Sequence, residues 1–183
     1  MIQSKEKNLN LPNILAAFRI ALAPLMLWFM VDQSNPIFNG WHPSWFDYFA
    51  GLIFVIASVT DFFDGFIARK WDQMTKLGSI LDPLADKMLV LAGFIGLLVL
   101  DRASAFAVFL ILSREFFITG LRVVAVAEGK AVASTMAGKI KTVVQMIAIG
   151  FLIMNWPMAT TLLWLAVALT LYSGYEYIRD YLK

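Results

Sequence analysis

Six apolar runs, each close to the length of a membrane-crossing helix, alternate with short polar connections along the chain. They fall at about residues 11–31, 46–70, 78–100, 103–126, 137–155 and 158–179, and about 20 apolar residues suffice to cross a hydrocarbon core roughly 30 Å thick. Gly40 and Pro157 break the pattern, as do the polar clusters at 33–35 and 128–130. No internal repeat and no linker divides the chain. The expected fold is therefore all-α, an integral membrane protein built as a bundle of six transmembrane helices, with residues 1–183 forming a single membrane domain.

The placement of charge gives that bundle an orientation. Lysine and arginine occur at Lys5 and Lys7, at Arg69, Lys70 and Lys76, at Arg122, Lys130, Lys139 and Lys141, and at Arg179 and Lys183; the first, third and fifth connections carry only Arg102. The positive-inside rule then puts both termini in the cytoplasm, with residues 1–10 a juxtamembrane segment, and an even number of spans requires the same. Trp41, Trp45, Phe46 and Tyr48 at the outer end of the second run, and Tyr172, Tyr175, Tyr177 and Tyr181 near the inner end of the last, read as interfacial anchors. His42, the only histidine, lies in an outward loop with no partner ligand nearby. Composition agrees: 60% of residues are hydrophobic, 15% are charged and the mean hydropathy is +0.73, more apolar surface than a soluble fold of this size buries. Cysteine is absent, which excludes disulfides and thiolate chemistry. The formal net charge of +2 says little by itself, and no nucleic-acid partner is expected.

Against this background the stretch 61–86, DFFDGFIARKWDQMTKLGSILDPLAD, stands out. Asp61 and Asp64 come near the inner end of the second run, and Asp82 and Asp86 near the inner start of the third, so all four acids fall at similar depth. At about 100° per residue, Asp61, Asp64, Gly65 and Ala68 share one helix face, as do Gly78, Asp82 and Asp86. Small neighbours let a bulky ligand reach the acids. Convergent carboxylates repel unless protonated or bridged by cations. An all-oxygen donor set suits a hard ion, Mg²⁺ or Mn²⁺, and four acids favour two divalent ions in the clamp used for phosphoryl transfer. Arg69 would then bind phosphate oxygens through its guanidinium fork. Residue chemistry alone leaves two other readings open, a proton or cation pathway and structural charge pairing. Asp82 followed by Pro83 also has the form of a helix N-cap, and Arg69 with Lys70 could snorkel to the interface.

The same residues resemble the signature of the CDP-alcohol phosphatidyltransferase family at every specified position: Asp61-x2-Asp64-Gly65-x2-Ala68-Arg69-x8-Gly78-x3-Asp82-x3-Asp86. The resemblance implies that Asp61, Asp64, Asp82 and Asp86 hold two divalent ions and that Asp86 is the general base on an acceptor hydroxyl. It implies that Gly65, Ala68, Arg69, Thr75, Gly78 and, more weakly, Ser79 form the CDP-lipid site. The runs PNILAAFR, REFFITGLR and GKIKTVVQM resemble the phosphatidylglycerophosphate-forming branch, although Ala16 stands where that branch often has threonine. That likeness implies CDP-diacylglycerol and sn-glycerol 3-phosphate as substrates and a homodimer in the bacterial cytoplasmic membrane, its active site facing the cytoplasm. Another member of the family, inositol-phosphate or cardiolipin-forming, is the nearest alternative; a cation transporter using the same acids is a more distant one.

The remaining helices supply cations. Arg114, Glu115, Thr119 and Arg122 lie in the fourth run, and Lys139 and Lys141 at the start of the fifth. One glutamate cannot neutralise Arg114, Arg122, Lys139 and Lys141, so these four are expected to bind an anion carried by the acceptor, a phosphate group. Asn13 and Arg19 in the first run either touch phosphate at the inner leaflet or cap and anchor the helix.

Overall fold

The computed structural model describes residues 11–70, 78–129 and 135–182. Among them lie six α-helices: α1 (Leu11–Val31), α2 (Pro43–Lys70), α3 (Gly78–Val99), α4 (Ala105–Ala127), α5 (Met136–Ile153) and α6 (Ala159–Tyr181), with one 3-10 turn at Pro36–Phe38 between α1 and α2. Each matches one of the six expected runs. Helix is what apolar segments adopt when no solvent can satisfy the backbone, because every N–H then finds its partner within the segment.

Only the second helix starts more than two residues from its expected place. The second helix begins at Pro43, three residues early, since proline suits a first turn and the His42 Nδ1 accepts the Ser44 N–H at 3.3 Å. That bond gives the lone histidine a structural task. The third helix begins at Gly78, so Asp82 is an interior residue and not its N-cap. Pro83 falls in the second turn, where the lack of its N–H removes one backbone bond close to the helix start, and the helix runs through it. The connections are tight: Gly40 has φ +89°, and Asp101, Asn155 and Met158 take left-handed values of 55°, 52° and 67°. Arg102, the one cation in the first, third and fifth connections, donates from Nη1 to the carbonyl of Ile153 at 2.7 Å and so caps the end of α5.

The chain groups into two compact units, Met1–Gly96 and Leu97–Lys183. In the first, α1 packs on α2. The inward stripe of α1 is Ala16, Arg19, Ala23, Met26 and Met30, all essentially buried and spaced alternately by three and four residues. The third helix approaches α1 at Gly96, where a Cβ would lie 2.7 Å from both Sδ and Cε of Met30 and 3.1 Å from its Cβ. In the second unit, α6 packs against both α4 and α5, and its Leu163, Ala166 and Val167 are buried.

The outward helix faces are apolar, and a few polar side chains lie among the apolar residues of the interior. Leu52, Val55 and Val59 of α2, and Phe109, Phe116 and Val123 of α4, point outward and are exposed, while Arg19, Thr170 and Ser173 are fully buried. Among the described residues, three segments are long and apolar enough to cross a membrane: Asn13–Val31, Pro43–Asp61 and Met136–Ile153. Helices α3 and α4 are as long, with 22 and 23 residues, but they carry Asp82, Asp86 and Lys87, and Arg114, Glu115 and Arg122. The charges that lower their apolarity are mostly those of the candidate site.

The Gly96 contact yields a first prediction. In a soluble helix, Gly→Ala gains about 1 kcal/mol of propensity. A membrane helix stays helical when its packing is lost, so that gain disappears and the overpacking cost of about 1–3 kcal/mol remains. Gly96→Ala is therefore expected to lower the melting temperature in detergent by a few degrees, and the companion change Met30→Ala to relieve the clash. An unchanged melting temperature for Gly96→Ala would show that Met30 yields freely.

Candidate active site

In the first unit the site is assembled around a residue of α1. Arg19 occupies a core position of the inward stripe and its side chain is 0% exposed. Its Nη1 donates to Oδ1 of Asp61 on α2, and its Nη2 lies 3.7 Å from Oδ1 of Asp82 on α3. The guanidinium thus draws together acids from two helices. Both carboxylates remain open on another side, with side chains 43% and 41% exposed for Asp61 and Asp82. The separation of 3.7 Å is an ion-pair distance, too long for a hydrogen bond, and Asp82 Oδ1 is buried with no hydrogen-bond partner among the described residues. Asp86 stands one turn further along α3, half-buried, and Gly78 is buried at the helix start.

This arrangement resolves the role of Arg19 differently from either sequence reading. It neither anchors α1 at the interface nor reaches out to it. A cation on a buried stripe needs an anion, and among the described residues Asp61 and Asp82 supply it. The side chains of Asp64, Gly65, Ala68, Arg69 and Ser79, and the whole of Thr75, lie outside the described residues. Among the described residues no group of three or more acids or histidines is gathered at metal-binding distance. The donors that do converge, carboxylate oxygens with one buried oxygen lacking a hydrogen bond, fit a hard divalent cation.

The second unit contains the cations, and it divides them. Lys141 is buried, 5% exposed, and its Nζ donates to Oε1 of Glu115. Arg114 Nη1 lies 3.4 Å from that same oxygen, while its Nη2 donates to Ser173 Oγ at 3.0 Å. Ser173 in turn donates to the carbonyl of Thr170 at 3.1 Å. The stem of Arg114 lies across Gly174, where a Cβ would come within 3.2 Å of its Cγ and Nε. Two of the four expected phosphate-binding cations therefore share one glutamate. Arg122 and Lys139 are exposed. The guanidinium carbon of Arg122 stands 5.8 Å from the centroid of Tyr177, within cation-π range, and that ring is itself buried.

The sequence-based set did not include Ser173, Gly174 or Tyr177. A signal was present: Thr170, Ser173, Gly174 and Tyr177 recur at helical spacing as a narrow small-and-polar face on an otherwise apolar helix. In the sequence Tyr177 reads as one more interfacial aromatic, but its ring is 3% exposed and belongs to the interior.

Membrane-length apolar helices, outward apolar faces and a buried arginine binding acids from two helices define a helical membrane protein with an acid-lined site. A sequence model of the CDP-alcohol phosphatidyltransferase family matches residues 9–172. A relative from Bacillus subtilis is 42% identical, with 92% of this chain and 93% of the relative covered. One from Rickettsia felis is 36% identical over 93% of this chain and 94% of its own length, and one from Cereibacter sphaeroides 32% over 96% and 98%. All three bear the name CDP-diacylglycerol–glycerol-3-phosphate 3-phosphatidyltransferase. The chain belongs to the CDP-alcohol phosphatidyltransferase family.

Proposed function

We infer that this chain transfers the phosphatidyl group of CDP-diacylglycerol to sn-glycerol 3-phosphate, giving phosphatidylglycerophosphate and CMP. The observation that carries this reading is the end-to-end likeness to relatives that bear the name of that reaction, at 32–42% identity over 92–96% of the chain. The paired acids of the first unit and the cation surplus of the second support it chemically.

In this mechanism Asp61, Asp64, Asp82 and Asp86 would hold two divalent ions, Mg²⁺ or Mn²⁺, whose chemistry is to neutralise the diphosphate and the departing CMP. Gly65, Ala68, Gly78 and Ser79 leave room for the CDP group, Thr75 contacts it, and Arg69 binds its phosphate oxygens with a guanidinium fork. Arg122 and Lys139, the exposed cations of α4 and α5, bind the phosphate of the acceptor. Arg114 and Lys141, engaged with Glu115, set the positive field behind them. Asp86 takes the proton from the glycerol 1-hydroxyl, whose oxygen attacks the β-phosphorus as the bond to the CMP oxygen breaks. The displacement is direct and uses no covalent enzyme intermediate.

Residues 1–183 act as one membrane domain, and the family match running through both units supports this. All six helices span the bacterial cytoplasmic membrane, with both termini and the active site on the cytoplasmic side and residues 1–10 as a cytoplasmic lead-in. Helix lengths of 18 to 28 residues, or about 27–42 Å at 1.5 Å per residue, support six crossings, and the lysine and arginine distribution supports the orientation. A homodimer is the assembly that the family resemblance implies.

Release of CMP from CDP-diacylglycerol in detergent tests the acceptor. Glycerol 3-phosphate is expected to accelerate it at least tenfold over inositol phosphate or phosphatidylglycerol, an acceptor difference of about 1.4 kcal/mol or more. Preference for either of the other acceptors would move the chain to another branch of the family. Metal flux into liposomes without CMP release would favour transport instead.

A further inference from the structure

We propose that Arg19 is the resident counter-cation of the acid site: its guanidinium holds the Asp61 and Asp82 carboxylates together when no metal is bound, and divalent ions displace it from that task. This rests on the reading that the aspartates bind metal, and it assigns a function to a residue that neither the donor site nor the acceptor site includes.

Four observations converge on it. Arg19 is fully buried in the inward stripe of α1, next to Ala16 and Ala23, where an unpaired guanidinium would cost several kcal/mol. Its partners come from different helices, so its two nitrogens tie α2 to α3 at the acids. The tie is uneven, bonded to Asp61 Oδ1 but 3.7 Å from Asp82 Oδ1. Finally, both carboxylates are open to solvent on another side, which gives a second cation access to them.

Charge decides what such a tie does. The Asp61 and Asp82 carboxylates together carry one more charge than the Arg19 guanidinium offsets, so this pair still attracts a divalent ion. An ion arriving from the open side competes with the guanidinium for the same two carboxylates and meets a fixed positive charge beside it. Arg19 therefore raises the dissociation constant for metal while preventing the acids from repelling each other in its absence. Arginine suits the task better than lysine, because its planar fork reaches two carboxylates and never loses its proton.

The test is metal binding by the purified chain in detergent without substrate, by Mn²⁺ electron paramagnetic resonance titration and by melting temperature in EDTA and in saturating Mn²⁺. Arg19→Gln removes the charge and keeps a hydrogen-bond donor; Arg19→Lys keeps the charge. Arg19→Gln is expected to bind Mn²⁺ about tenfold more tightly than wild type, to melt lower in EDTA, and to show a larger Mn²⁺-induced shift in melting temperature. Arg19→Lys is expected to keep an affinity close to that of wild type. An Mn²⁺ affinity of Arg19→Gln equal to or weaker than wild type, or the same loss of melting temperature with and without Mn²⁺, would overturn the proposal and make Arg19 a structural core cation. Recovery of Arg19→Gln only from Mn²⁺-containing buffer supports it, and recovery from neither buffer overturns it. Absence of any Mn²⁺ binding to wild type would instead overturn the metal reading itself.

Discussion

Asp86→Asn is expected to reduce CMP release by about 10²–10⁴-fold, the range that a positioned general base contributes. The substitution conserves shape, and Asp86 is half-buried on a helix already committed by Ala85 and Leu89 in its core, so the fold is expected to survive. Melting temperature measured alongside turnover separates the two effects. An intact fold with lost turnover supports the assignment. Near-normal turnover would rule out Asp86 as the base, and loss of Mn²⁺ binding equal to the loss of turnover would show that its contribution is as a metal ligand alone.

The second large effect concerns the acceptor, and here the structure sharpens the choice of residue. Arg122→Ala and Lys139→Ala are each expected to raise KM for glycerol 3-phosphate by about 10–100-fold, the equivalent of losing one charge-assisted bond of roughly 1.5–3 kcal/mol, with a smaller change in KM for the CDP-lipid. Lys141→Ala provides the contrast. Lys141 is buried on Glu115, so its removal takes a buried cationic partner from that carboxylate and is expected to lower the melting temperature first. Equal effects of Arg122→Ala on both substrates would argue against a dedicated acceptor-phosphate site. A Lys141→Ala variant with full stability but a raised acceptor KM would place Lys141 among the phosphate ligands after all.

Both experiments turn on residues whose types were evident from the chain but whose alliances were not. Asp61, Asp82 and Asp86 were legible as a group because acids at the ends of apolar helices are costly and helical spacing aligns them. Arg19 was visible as an isolated cation in α1, but its task was not, since its partner Asp61 lies 42 residues away. The same holds in the second unit. Arg114 called for an anion, and Glu115 beside it was the evident candidate; the bond to Ser173, 59 residues further on, was not. Tyr177 shows the converse error, an aromatic near a helix end that periodicity could not distinguish from an anchor until packing placed it under Arg122.

What the sequence by itself determined was one-dimensional: six helices to within three residues at each end, the placement of the acids at the end of the second helix and the start of the third, and an excess of cations on the fourth and fifth helices. Lipid length, helical period and the cost of buried charge act locally along a segment, so the order of residues suffices to express them. Only the tertiary structure decided which charges meet. It set Arg19 between Asp61 and Asp82, engaged Arg114 and Lys141 with Glu115, and left Arg122 and Lys139 exposed. Pairing of buried charges depends on which helix faces come into contact, and a periodic pattern specifies a face without specifying its neighbour.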